Sequence, residues 1–135
     1  MEICEGPGWR LQTDPSRPYF PALIGSDTWA VELSAPELGA LRRAILSLRQ
    51  QWLELQSSLM PEEQLDLEVD LMLEGGPDAG HSGTLHVALS GVGASWALRF
   101  VLTPAPGCRA VEGGWSAPAS SLLAAALERL PAMVH

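Results

Sequence analysis

The sequence predicts an α+β protein of antiparallel sheets with one long and one shorter helix, built as two strands-then-helix repeats. Three observations carry this. After Ser34 the apolar residues recur every three or four positions, as on one face of a helix. Around that stretch, shorter segments alternate apolar and polar with period two, as half-buried strands do. The two helical stretches also open on the same tripeptide, Ser34-Ala35-Pro36 and Ser116-Ala117-Pro118, with Leu41 matching Leu123 and Ala44 matching Ala126. With 135 residues, 47% of them hydrophobic and 18% charged, the chain suffices for one core. It reads as a single domain, residues 1–135, with repeats at 1–60 and 61–135.

The first half begins with three expected strands. Trp9 to Thr13 is one. Asp14-Pro15-Ser16-Arg17-Pro18 has turn chemistry, because proline presets φ and the Asp or Ser side chain can bond back to the backbone. Tyr19 to Ile24 is the second, and Pro21 suggests that it lies at a sheet edge. In the third, Thr28 to Leu33, Trp29, Val31 and Leu33 share one face and Ala30 and Glu32 the other. A helix follows. Ser34 and Glu37 have capping-box spacing, and Pro36 sits in the first turn, where its missing N–H costs nothing. Leu38, Leu41, Ile45, Leu48, Trp52, Leu55 and Leu59 form its stripe, which Ala44, Leu46 and Leu53 broaden until Pro61 ends the pattern. A stripe this broad predicts packing across a sheet, with a coiled coil as the alternative.

In the second half, Leu65 to Glu74 alternates along its whole length. Leu65, Leu67, Val69, Leu71 and Leu73 face one way; Asp66, Glu68, Asp70, Met72 and Glu74 face the other. Thr84 to Ser90 puts Leu85, Val87 and Leu89 inward, and Gly91-Val92-Gly93 turns the chain. Trp96, Leu98, Phe100 and Leu102 are then inward, and Arg109 to Trp115 is a last strand. A helix from about Ala117 to Leu130 has Leu122, Leu123, Ala126, Leu127 and Leu130 on its apolar face.

Composition narrows the function. The net charge is -8, and the eight basic residues are all arginine, scattered along the chain. Phosphate binding needs a basic patch, so nucleic acid and anionic membrane are disfavoured as partners and a basic protein is favoured. Cys4 and Cys108 lie far apart with no metal-type spacing and read as reduced thiols. The N-terminus has no basic stretch before an apolar one, and no apolar run is long enough to cross a membrane. The expected location is therefore the cytoplasm.

No cofactor or metal is expected, and no catalytic residues are assigned. Gly75 to Ser82 has the spacing of a phosphate-binding loop, but His81 replaces its lysine and a strand rather than a helix follows, so a surface hairpin loop is expected. His86 should share the outward face of Asp66, Glu68 and Asp70. A histidine among carboxylates can shuttle protons or bind metal, though a solvated cross-strand pair is the expectation. His135 is the last residue of the sequence. Trp29, Trp52 and Trp96 fall on apolar stripes and read as core. Trp9, Arg10 and Trp115 remain as a second candidate surface, since pattern alone does not decide their burial.

Several strings together resemble a family. These are Gly8-Trp9-Arg10-Leu11, Asp14-Pro15-Ser16-Arg17, Phe20-Pro21-Ala22-Leu23-Ile24-Gly25 and Trp29-Ala30-Val31-Glu32-Leu33, with Glu62-Glu63, Leu73-Glu74 and Arg109 through Glu112-Gly113 to Trp115 in the second half. They look like a family of small uncharacterised cyanobacterial proteins. That resemblance implies two repeats of four strands and a helix, similar to the Whirly-like single-stranded-DNA-binding transcriptional regulators; a cystatin-like description has also been applied. It implies a fourth strand in the first half, for which Met1 to Glu5 is available. Whirly-like binders present basic residues along the sheet, whereas the best-placed strand here carries Asp66, Glu68, Asp70 and Glu74. The expected function is therefore non-enzymatic: a binding or adaptor protein, monomer or homodimer, that docks a protein partner on Asp66, Glu68, Asp70 and His86. Single-stranded nucleic-acid binding in regulation is the alternative.

Overall fold

A computed structural model describes residues 1–73 and 83–131. Strands β1 (Glu2–Gly6), β2 (Trp9–Thr13), β3 (Ala22–Gly25) and β4 (Ala30–Leu33) form one antiparallel sheet in chain order, and helix α1 (Ala35–Gln56) follows. Strands β5 (Gln64–Met72), β6 (Thr84–Val92), β7 (Ser95–Thr103) and β8 (Val111–Trp115) form the second sheet, again in chain order, and α2 (Ala117–Arg129) follows. The strands-then-helix arrangement is thus repeated, and β1 is the fourth strand of the first half. The segment 74–82, with Glu74 and His81, and His135 lie outside the described residues. Among the described residues no helix is long and apolar enough to cross a membrane.

In the first sheet the turn after β2 follows its sequence. Asp14 Oδ1 accepts hydrogen bonds from Ser16 N at 3.2 Å and Ser16 Oγ at 2.6 Å, and Arg17 N donates to Asp14 O at 3.0 Å. The edge position expected for the Tyr19–Ile24 segment is corrected. Its strand β3 starts only at Ala22 and lies between β2 and β4. Pro21 precedes the ladder, so its missing N–H breaks no strand pairing, and its carbonyl still accepts from Asp14 N at 2.7 Å. Tyr19 and Phe20 are exposed.

Helix α1 starts on a complete capping box. Ser34 Oγ accepts from Glu37 N at 3.3 Å, and Glu37 Oε1 accepts from Ser34 N at 2.8 Å. Its buried face is Leu38, Ala40, Leu41, Ala44, Ile45, Leu48 and Trp52. The stripe ends sooner than its leucines suggest: the helix stops at Gln56, and Leu53 and Leu55 are exposed. Ser57 and Ser58 hydroxyls donate to the carbonyls of Glu54 and Leu55, competing with a further helical turn. The stripe packs mainly on β5, β6 and α2, so it serves the core of this chain rather than a coiled coil.

The second sheet has nine-residue strands in β5, β6 and β7. Its inward residues Leu85, Val87, Leu89, Leu98, Phe100 and Leu102 are buried. Leu65, Leu67, Val69 and Leu71 of the outermost strand β5 are only half-buried. The β6–β7 hairpin pairs Val92 with Ser95 and turns on Gly93, whose φ of 62° suits the first position of a two-residue loop. The turn is Gly93-Ala94 rather than Gly91-Val92-Gly93, because Gly91 and Val92 stay in the ladder opposite Trp96 and Ser95.

Helix α2 buries Ala119, Ser120, Leu123, Ala124, Ala126 and Leu127 against β7, β2 and α1. Leu122, expected on this face, is half exposed at 50%. The observed face steps through 119/120, 123/124 and 126/127, and Leu122 falls to its side. Arg42 of α1 donates from Nε to Leu127 O at 2.8 Å and from Nη2 to Glu128 O at 3.3 Å, satisfying carbonyls at the end of α2. An Arg49–Glu128 ion pair joins the same two helices.

The sheets meet at an aromatic seam. Trp29, just before β4, packs on Trp115 of β8 and Phe100 of β7 with centroid separations of 5.3 and 5.7 Å. Phe100 stacks on Trp115 at 5.4 Å, and Trp115 Nε1 donates to Gly25 O of β3 at 2.9 Å. Gly113 makes room for this: a Cβ there would lie 2.7 Å from two ring carbons of Trp29.

Candidate functional site on the outer face of the second sheet

Alternation in β5 sends Asp66, Glu68 and Asp70 to the face opposite the core, and all three are exposed. Strand register aligns them with neighbours in rows across the sheet. Asp66 stands beside Ser90 and Ala97; Glu68 beside Ala88, Arg99 and Gly114; Asp70 beside His86, Val101 and Glu112. The structure therefore brings together the four residues expected to share this face.

Their geometry is that of a solvated cross-strand cluster. His86 Nδ1 donates to Asp70 Oδ1 at 2.8 Å, since an ionised carboxylate can only accept. His86 Nε2 lies 3.8 Å from Glu68 Oε2. The Glu68 and Asp70 side chains are 72% and 77% exposed, so pairing with His86 leaves most of both carboxylates in water. Gln64 Nε2 donates to Asp66 Oδ1 at 3.0 Å. This bond, then one from Ser90, holds the Asp66 carboxyl below the ordinary aspartate range against a weaker effect of desolvation. Ionised carboxylates in one row repel each other, and these donors offset part of that repulsion. Among the described residues no three His, Cys, Asp or Glu side chains come together as a metal site.

Beside the acidic row, His86, Ala88, Arg99, Val101, Glu112 and Gly114 contribute to the lining of an open groove of about 460 Å³. Small residues floor it, and Gly114 lets the Arg99 stem lie close to bare backbone. Arg99 is exposed. With strands about 4.8 Å apart, it sits two strands, or roughly 10 Å, from Glu68 along their shared row. Alternation puts Arg99 on the outward side of its strand, but Glu112, Gln64 and Ser90 are not among the residues expected on this face. Period-two alternation gives each strand's outward set, but only the register says which outward residues are neighbours.

The second candidate surface is corrected. Trp9 and Trp115 are buried, at 6% and 4% exposure, and offer no ring to a partner. Trp115 belongs to the seam between the sheets, and Trp9 faces inward with Leu11. Half-buried Arg10 has a local structural role: its Nε donates to Ser26 O and its Nη2 to Trp29 O, both at 3.0 Å. Gly8 N donates to Asp27 Oδ1 at 3.1 Å, so both ends of the Gly8-Trp9-Arg10 string hold the β3–β4 turn. Cys4 is half-buried in β1 and Cys108 is exposed in the β7–β8 loop; both are free thiols.

Two four-stranded antiparallel sheets, each followed by a helix, with an acidic outer face on the second, define the class of this protein. Residues 4–130 match the family described as a domain of unknown function, DUF1818, and the chain belongs to that family. A solved structure from Prochlorococcus sp. NATL2A, described as a protein with unknown function from the DUF155 family, is similar to it. The two share 32% identity with a TM-score of 0.74, over 95% of this chain and 97% of that one. No curated protein matches the chain.

Proposed function

We propose that this protein is a non-enzymatic binding module that docks another protein, one presenting basic residues, on the outer face of its second sheet. One observation carries the reading. Asp66, Glu68 and Asp70 stand in a single exposed row on one strand, and among the described residues the cation-forming side chain bonded to that row is His86. A row of this kind attracts a cationic partner at long range and steers its approach.

The alternative is a Whirly-like role in binding single-stranded nucleic acid. Two repeats of four strands and a helix are what that resemblance implies, and the groove beside Arg99 would be the place for it. The carboxylates of β5 and Glu112 flank that groove and oppose a phosphate backbone.

One titration separates the readings. A fluorescent arginine-rich peptide and a mixed-sequence single-stranded oligonucleotide are each followed by anisotropy at physiological salt. The peptide should bind and weaken as salt rises. The folded triple variant Asp66→Asn, Glu68→Gln, Asp70→Asn should bind it about tenfold less tightly, as expected for three exposed ion pairs. Undiminished binding by that variant would refute the acidic face as the docking site. Tight, salt-sensitive binding of the oligonucleotide would favour the regulator.

A further inference from the structure

We infer that the free edge of β5 is a strand-docking site for an extended segment of a partner protein with Arg or Lys at alternate positions and apolar residues between them. The inference rests on the acidic-face reading above and specifies the partner's backbone form and residue pattern.

The first observation is the backbone. β5 is the outermost strand of its sheet, and among the described residues no backbone group pairs with its outer edge. Leu73 N donates to Gly83 O at 2.9 Å, continuing the β5–β6 register. In an antiparallel ladder hydrogen-bonded pairs alternate, so Leu71, Val69, Leu67 and Leu65 direct their backbone groups to β6. Gln64, Asp66, Glu68, Asp70 and Met72 therefore direct theirs outward. The residues that form the acidic row are also those whose N–H and C=O groups line the free edge.

The second observation is the core. Leu65, Leu67, Val69 and Leu71 are half-buried, whereas their neighbours on β6 and β7 are buried. The apolar layer is thus uncovered along one side, and an added strand would cover it.

These two facts set the occupant's pattern. In an antiparallel strand paired with β5, the residues opposite Asp66, Glu68 and Asp70 place their side chains beside the carboxylates, and opposite charges there stabilise the pair. The residues between them lie beside the half-covered leucines and Val69. Opposite Met72, which is exposed, an apolar residue fits. Read from its N-terminus, the segment is apolar, apolar, basic, apolar, basic, apolar, basic.

A second copy of the chain does not meet this requirement. Two β5 strands paired about a two-fold axis near Glu68 would set Glu68 opposite Glu68 and Asp66 opposite Asp70. Like charges directly opposite are a recognised way of blocking self-association at an edge. Nor does the chain itself contain the segment: it has no lysine, and none of its arginines alternate.

The test uses three synthetic peptides against the isotopically labelled full chain, read by amide shifts and hydrogen exchange. The first carries Val-Val-Arg-Val-Arg-Val-Arg, the second is the same peptide N-methylated at its three arginine amides, and the third has its arginines contiguous. The first should bind, shift β5 and slow exchange at Asp66, Glu68 and Asp70. N-methylation keeps every charge but removes three strand donors, and should weaken binding about tenfold or more. The contiguous peptide should bind without protecting the edge. Equal binding by the methylated peptide overturns strand docking and leaves the acidic-face reading standing. Failure of all three to bind overturns both.

Discussion

The two halves repeat one arrangement with opposite emphasis. The first has strands of four or five residues and a 22-residue helix; the second has three nine-residue strands and a 13-residue helix. Their helices begin on the same Ser-Ala-Pro, yet the starts are secured differently. Ser34 caps its own helix with Glu37, whereas Ser116 makes no side-chain cap. Ala119 stands where a capping glutamate would be. Ser120, one residue on, is wholly buried; its Oγ donates to Trp115 O and accepts from Leu98 N, both at 3.0 Å. Leu98 and Trp115 are the last pair of the β7–β8 register, so this hydroxyl closes the ladder where the strands part. Short matched strings can thus mark equivalent positions without carrying equivalent interactions.

Four substitutions probe this contrast. The largest effect should come from Ile45→Ala, which removes a wholly buried side chain between α1 and the second sheet. It should cost about 2–5 kcal/mol in denaturant unfolding. A cost near zero would mean that α1 contributes little to the shared core. Ser120→Ala should cost about 1–3 kcal/mol, because it leaves a buried donor and acceptor unsatisfied. The smallest and sharpest comparison pairs the two helix starts. Ser34→Ala should cost about 0.5–2 kcal/mol, and Ser116→Ala should stay within about 0.5 kcal/mol. Equal costs by thermal unfolding would show that the two caps are energetically alike despite their different bonds.

Local physics made much of this fold legible. The start of α1 depends on residues three apart, and the β5 alternation on one strand with one wet face, so both could be read directly. The row of Asp66, Glu68 and Asp70 followed from that same alternation. What failed depended on distant chain. Trp9 and Trp115 alternate like their neighbours, and nothing nearby says that Trp29 and Gly25 will close over Trp115 or that α2 will pack on β2. Leu122 and Leu123 lie about 100° apart on the helix, and the face that turned inward carries Leu123 together with Ser120, whose hydroxyl bonds Leu98 and Trp115. Gln64 shares a strand face with Asp66 and His86 is expected on that face, but Ser90 beside Asp66 and the pairing of His86 with Asp70 needed a strand register that no single strand encodes.

Helix α1 lies mainly against strands that come after it in the chain. Synthesis proceeds from the N-terminus, so this helix leaves the ribosome before its covering sheet exists. Until β5 and β6 follow, the face with Leu41, Ile45 and Leu48 lacks the strands that the helix mainly packs on, however well Ser34 and Glu37 start it. The repeated arrangement therefore shares one core, with the helix of the first half covered by strands of the second.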